Sequence, residues 1–279
     1  MTHCSWDPPR PEYDSDLLID TWIAQSEAHD KAHTIERHAR YAPELGWRGI
    51  LAVLTIPDAQ QHLGALATPL QMLVSQYGDQ FIDRIEREAA ISPPFKECLA
   101  AIHPSPIFPF PEHLWPRLTA AAGTPIGPMA PHVAALYKEI PDLSTLATWD
   151  PHPLDPAEAP ALTDTELREH ALAFVTYHQS FWAWEELNRI LEEEGPDATW
   201  PLILLLIQKG SDDALCAAGA GILEDLLKAH GPAVIERIEA EVNRNPRFRF
   251  CLSHVWPARM PPSIWERVVT ARGDEPQRG

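Results

Sequence analysis

Positive charge is scarce in this sequence. Its 279 residues hold 22 Lys and Arg against 40 Asp and Glu, a formal net charge of −18. A nucleic-acid surface needs clustered cations to displace counterions, so this balance argues against DNA or RNA as a partner. It argues equally against an anionic membrane surface. Long apolar runs are missing too. The longest, Leu202 to Ile207, has six residues, where a bilayer span needs roughly 20. The opening stretch MTHCSWDPPRPEYDSD lacks the basic start and apolar core of an export signal, so the expected location is cytoplasmic. Cysteine is limited to Cys4, Cys98, Cys216 and Cys251, with no CxxC pair and no zinc-finger spacing. Cys98 and Cys251 lie in apolar stretches, where a free thiol behaves as a small hydrophobe.

Catalytic signatures are absent as well. There is no GxSxG elbow, no GxGxxG fingerprint and no HxE…PCxxC pattern. The small-residue run AAGAG, Ala217 to Gly221, has no Walker lysine and suits close helix packing better than phosphate binding. His29 and His33 share a helical face, a spacing that suits a metal. Asp30 stands where a metalloprotease motif needs glutamate, so the pair reads as a solvated polar face. Cys251 and His254 sit three apart, but burial explains that thiol better than catalysis. No cofactor and no metal are expected.

What the sequence has is a repeat. Shifted by 153 residues, Trp47 falls on Trp200, Ile50 on Ile203, Leu70 on Leu223 and Gly78 on Gly231. Ile82, Arg84, Ile85 and Glu86 fall on Ile235, Arg237, Ile238 and Glu239. Pro93, Phe95, Cys98 and Pro104 fall on Pro246, Phe248, Cys251 and Pro257. After a three-residue deletion, Trp115, Arg117 and Gly123 meet Trp265, Arg267 and Gly273. A period this long marks two similar domains and not a solenoid.

Each copy carries helical punctuation. Ile235, Ile238 and Val242 form an i, i+3, i+7 stripe, matched by Ile82, Ile85 and Ala89. Gly78 and Gly231 read as helix stops, and Ser92 and Asn245 as N-caps before proline. The run WPLILLLIQKG reads as a buried helix that starts near Pro201. The predicted fold is all-α: two pseudo-symmetric multi-helix domains over 1–123 and 164–279. They are joined by a proline-rich linker over 124–163 with one short helix near 130–139. Tyr137 and Trp149 are placed to pack that linker on the domains.

Two sets of residues stand out. Glu86 and Glu239 recur beside the buried stripe, and an acid at a core boundary needs a partner. Arg117 and Arg267 recur too, which predicts structural ion pairs Glu86–Arg117 and Glu239–Arg267. Acid is placed differently in the two copies: the second has Glu185, Glu186, Glu192, Glu193, Glu194, Asp197, Asp212, Asp213, Glu224 and Asp225, and at the last four positions the first has Ala59, Gln60, Gln71 and Met72. These form a candidate docking patch for a basic partner, with the alternative of a solvated face. Trp47, Trp200, Trp115 and Trp265 recur and are assigned to core. Of Trp182 and Trp184, at most one is buried by its helix, leaving the other, most simply Trp184, as an aromatic anchor.

The second copy resembles a bacterial family of small helical domains of unknown function. The pattern is W-x-LI, EDLL, HG, an IE-rich helix, N-P-x-F and VW, over Phe174 to Trp265. The first copy is a degraded version without EDLL and the closing VW. The resemblance implies a bacterial, soluble, mostly helical protein and brings no activity or catalytic residue. The sequence therefore favours a non-enzymatic acidic binding module with a basic protein partner. By analogy with small acidic bacterial proteins, an immunity or antitoxin role is one form of it. A regulatory or scaffold protein is the alternative, and an enzyme with an unrecognised site the second.

Overall fold

The computed structural model describes residues 12–57, 61, 63–105, 107–127, 161–257 and 259–273. Cys4 and most of the expected linker, with its helix near 130–139, Tyr137 and Trp149, lie outside the described residues. Within them every regular element is helical. The α-helices are α1 (Ser15–Tyr41), α2 (Pro43–Leu54), α3 (Leu63–Ile91), α4 (Pro93–Ala101) and α5 (Trp115–Ala122) in the first half. The second half has α6 (Asp164–Arg189), α7 (Pro196–Lys209), α8 (Asp212–Ala218), α9 (Glu224–Arg244), α10 (Pro246–Ser253) and α11 (Pro262–Arg272). Two π-helical turns, Ile190–Glu194 and Gly219–Leu223, continue α6 and α8. Among the described residues no helix is long and apolar enough to cross a membrane.

The prolines start helices. Pro43, Pro93, Pro196, Pro246 and Pro262 each sit at the beginning of one, where a missing N–H costs nothing. Before α4, Ser92 Oγ accepts from Phe95 N; before α10, Asn245 Oδ1 accepts from Arg247 N and Phe248 N. Thr163 and Glu166 form a reciprocal capping box at α6, with backbone bonds of 2.8 and 3.3 Å. Gly123 and Gly273 close α5 and α11 in the left-handed region, φ 72° and 91°. The run around Pro201 is helical and buried as predicted, but it starts at Pro196, one turn earlier.

The helices expected to stop at Gly78 and Gly231 do break there, one residue earlier: Tyr77 (φ −129°, ψ 17°) and His230 (φ −131°, ψ 17°) have non-helical angles, and a helix resumes directly beyond each. The first copy bends without a proline, having Asp79 where the second has Pro232, so proline alone does not make the kink. The glycines also serve close approach. A Cβ at Gly78 would lie 2.6 Å from Leu114 Cδ1, and one at Gly231 would lie 2.9 Å from Ile264 Cγ2. Leu114 and Ile264 are themselves equivalent in the repeat, so each copy presses the same apolar side chain into the same bend.

The chain forms two compact units, 28–178 and 1–27 with 179–279. They do not follow the sequence copies. The interior of unit 28–178 is built from Trp47, Ile50, Leu70, Ile85 and Phe95 of the first copy. Ala171, Phe174 and Val175 from the beginning of α6 complete it. The other interior is built from Ile203, Leu226, Ile238, Phe248 and Leu252, completed by Leu18, Ile19 and Trp22 from the beginning of α1. The matched positions do equivalent work. Trp47 meets Phe95 at 5.5 Å between ring centres and Trp200 meets Phe248 at 5.7 Å. Cys98 and Cys251 are buried, and burial pushes both thiols up to about 12. Trp47 is fully in the core, whereas Trp200, Trp115 and Trp265 are half-buried at its edge.

Candidate functional site

Both copies tie the α3/α9 stripe to the last helix through a fork of charge. Arg117 binds Glu86 with two bonds of 2.7 Å, and Arg267 binds Glu239 at 2.7 and 2.6 Å. In the first copy Arg117 also reaches Asp83. The guanidinium holds each of Glu86 and Glu239 below the usual carboxylate range, against a smaller opposing effect of burial. All four side chains keep between 36% and 42% of their surface, so these are boundary pairs and not buried ones. A second repeated pair was not anticipated. Arg84 binds both oxygens of Glu44 at 2.7 and 2.8 Å, and Arg237 binds Asp197 at 2.6 Å. Glu44 and Asp197 are 153 residues apart, so Asp197 belongs to the fold's own bonding before it belongs to any docking patch. The Glu-to-Asp change hid the match.

The acidic run of the second copy is not one continuous exposed patch. Glu186 is buried, 2% exposed, where it binds Arg189 and accepts from the Tyr13 hydroxyl. Burial and that carboxylate raise the tyrosine. Arg189 also holds Glu193 at 2.8 Å and Glu194 at 2.9 Å. Glu224 is buried, binds Lys228 at 2.7 Å and accepts from Trp256 N at 3.0 Å; Asp225 binds the same lysine at 3.1 Å. Inclusion of Glu186 and Glu224 in a docking surface is therefore corrected: one cation three or four residues on draws each inward. Glu185, Glu192, Asp212 and Asp213 form no ion pair among the described residues, and the last three are exposed. Trp182 is buried and Trp184 exposed, stacked on Phe181 at 5.4 Å.

Sequence reasoning missed a cleft. The π-helical turn after α6, the beginning of α1 and helix α7 border an open hollow of about 550 Å³. Leu18, Ile190, Leu202, Leu204 and Leu205 line it, with Tyr13 and Glu194 at the polar side. In the first copy Arg37 and Tyr41 stand at the positions of Ile190 and Glu194, so the acid-rimmed apolar surface belongs to the second copy alone.

His29 and His33 stack edge to face at 4.5 Å and both meet Tyr177. They bind Asp30 and Glu36 at 3.1 Å, and the Glu36 carboxylate raises His33. Among the described residues no group of three or more His, Cys, Asp or Glu is placed to hold a metal. His254 does not face Cys251; its ring turns to Cys216.

Helical copies, matched kinks and matched charge forks define a tandem pair of small all-α domains. The chain belongs to the family of unknown function DUF6869, whose model matches it twice, over residues 23–125 and 171–275. The resemblance seen in the second copy thus extends to the first. No curated protein and no solved structure matches the chain.

Proposed function

We propose that this protein is a non-enzymatic binding module that docks a basic protein partner on the acidic surface of its second copy. The observation that carries the reading is the cleft. It offers an apolar floor of leucine and isoleucine beside Glu194, the chemistry that receives an aliphatic side chain next to a lysine or arginine. Glu185 and Glu192 lie on the same helical stretch without a cation of their own, and Trp184 supplies a rigid aromatic anchor there. A net charge of −18 steers a cationic partner toward the protein. An immunity-type role, masking a basic toxin, is the specific form of this reading.

The test is co-expression with the product of the adjacent reading frame. The expected result is a complex that forms at low salt, weakens steeply as screening shortens the electrostatic range below about 10 Å, and protects cells from that product. Charge reversal at Glu185, Glu192, Asp212 and Asp213 abolishes the complex while leaving the helical content intact. A complex indifferent to both salt and these reversals would defeat the proposal.

A further inference from the structure

Cys216 and His254 lie 38 residues apart and meet at the end of α8. The Cys216 sulfur is 3.2 Å from His254 Nε2. His254 Nδ1 is 3.0 Å from the Phe250 carbonyl oxygen, which can only accept, and 3.2 Å from Ser253 Oγ, which already donates its own proton to that carbonyl at 2.6 Å. That contact places the proton on Nδ1 and leaves the Nε2 lone pair facing the thiol. A nucleophile, a base and a group that orients the base are thus in sequence. Cys216 and His254 are both partly buried, whereas Cys98 and Cys251 are fully buried.

The repeat provides an internal control. At the positions of Cys216 and His254 the first copy has Leu63 and Ala101, at the start of α3 and the end of α4. The fold does not need this pair. Gly219 also belongs to the second copy alone, standing where the first has Leu66. A Cβ on Gly219 would lie 2.9 Å from His254 Cβ and would collide with the Cys251 carbonyl. The glycine thus makes the room in which the imidazole approaches the thiol. It also begins the π-helical turn that follows α8, and such turns cluster at working sites.

We propose that Cys216 is a reactive thiol with His254 as its general base, forming mixed disulfides with small uncharged disulfides. Burial and the Asp213 and Asp212 carboxylates push the thiol up, so little free thiolate stands at neutral pH and the base must take the proton on demand. His254 Nε2 takes the sulfur-bound proton and the sulfur attacks one atom of the incoming disulfide. The disulfide bond breaks, and the departing thiolate recovers the proton from Nε2. The product is a Cys216 mixed disulfide and one free thiol. Phe250, partly exposed with its ring 4.9 Å from His254, gives an aromatic substituent a surface to lie on. The net charge of the protein disfavours anionic disulfides.

The probe is 2,2′-dithiodipyridine, reacted with folded protein carrying Cys4→Ser and followed by release of pyridine-2-thione. Peptide mass mapping is expected to find the label at Cys216, at a rate above that of free glutathione at the same pH. His254→Ala, which installs the residue the first copy already folds with, is expected to slow labelling at least 10-fold with unchanged circular dichroism. Label absent from Cys216, a rate no higher than glutathione, or an unchanged rate in folded His254→Ala would each overturn the proposal. Should His254→Ala fail to fold, the first two readings decide it on the unmodified site.

Discussion

Helix α2 contains two glycines whose replacement by alanine should move stability in opposite directions. Both are buried and both have ordinary helical neighbours, so propensity alone predicts a gain of about 1 kcal/mol for each. The surroundings differ. A Cβ on Gly49 would lie 3.5 Å from two carbons of Ile35, an ordinary contact. A Cβ on Gly46 would lie 2.5 Å from the Ala39 nitrogen and 2.8 Å from the His38 carbonyl carbon, and closer still to Ala39 Cα. Those are backbone atoms of α1, which no rotamer change moves aside. Overpacking costs typically about 1–3 kcal/mol, and a clash with main chain belongs at the upper end. Gly46→Ala should therefore lose about 2 kcal/mol net, while Gly49→Ala should gain about 1. With a urea slope of roughly 2 kcal/mol per molar, the two midpoints should differ by about 1 M or more. Urea titrations followed by circular dichroism read this directly. A Gly46→Ala protein as stable as the parent would show that α1 and α2 do not approach as described.

Two further outcomes follow from burial. Phe95→Ala and Phe248→Ala each empty a fully buried site beside a tryptophan; both should cost about 3–5 kcal/mol in the same titration, and a loss below 1 in either copy would contradict its core. His38 is 2% exposed, and burial, with His170 and Arg37 nearby, lowers its pKa to about 4. The unfolded chain, near 6.5, binds the proton first, so its stabilising contribution is full above pH 6.5 and is lost as pH falls toward 4. The loss by pH 5 should be about 2 kcal/mol from this residue; a His38→Gln protein losing as much between pH 7 and 5 as the parent would exclude it.

Much of the fold was legible because duplication writes each structural requirement twice. Ser92 and Asn245 differ chemically yet occupy one cap, and Glu86–Arg117 and Glu239–Arg267 could be paired by their recurrence alone. Glu44 and Asp197 show the limit, since a one-carbon change concealed an equally repeated pair. The glycine bends were legible as breaks, but a sequence cannot say that the same glycine also admits a neighbour such as Leu114. The acidic run was overread because like charges are conspicuous, whereas the single Arg189 or Lys228 that gathers them is not. The thiol and imidazole were invisible as a pair: only the fold of α8 against α10 brings residues so distant in the chain together.

The exchange of helix beginnings between the copies binds their fates. Because Leu18, Ile19 and Trp22 fill the interior of the second copy, and Ala171, Phe174 and Val175 that of the first, neither half of the gene encodes a finished interior. Cutting the chain at the midpoint would strip three apolar plugs from each product. Selection acting on the opening segment is thus felt by the closing half, and the tandem has become one heritable unit even where its copies have diverged in charge.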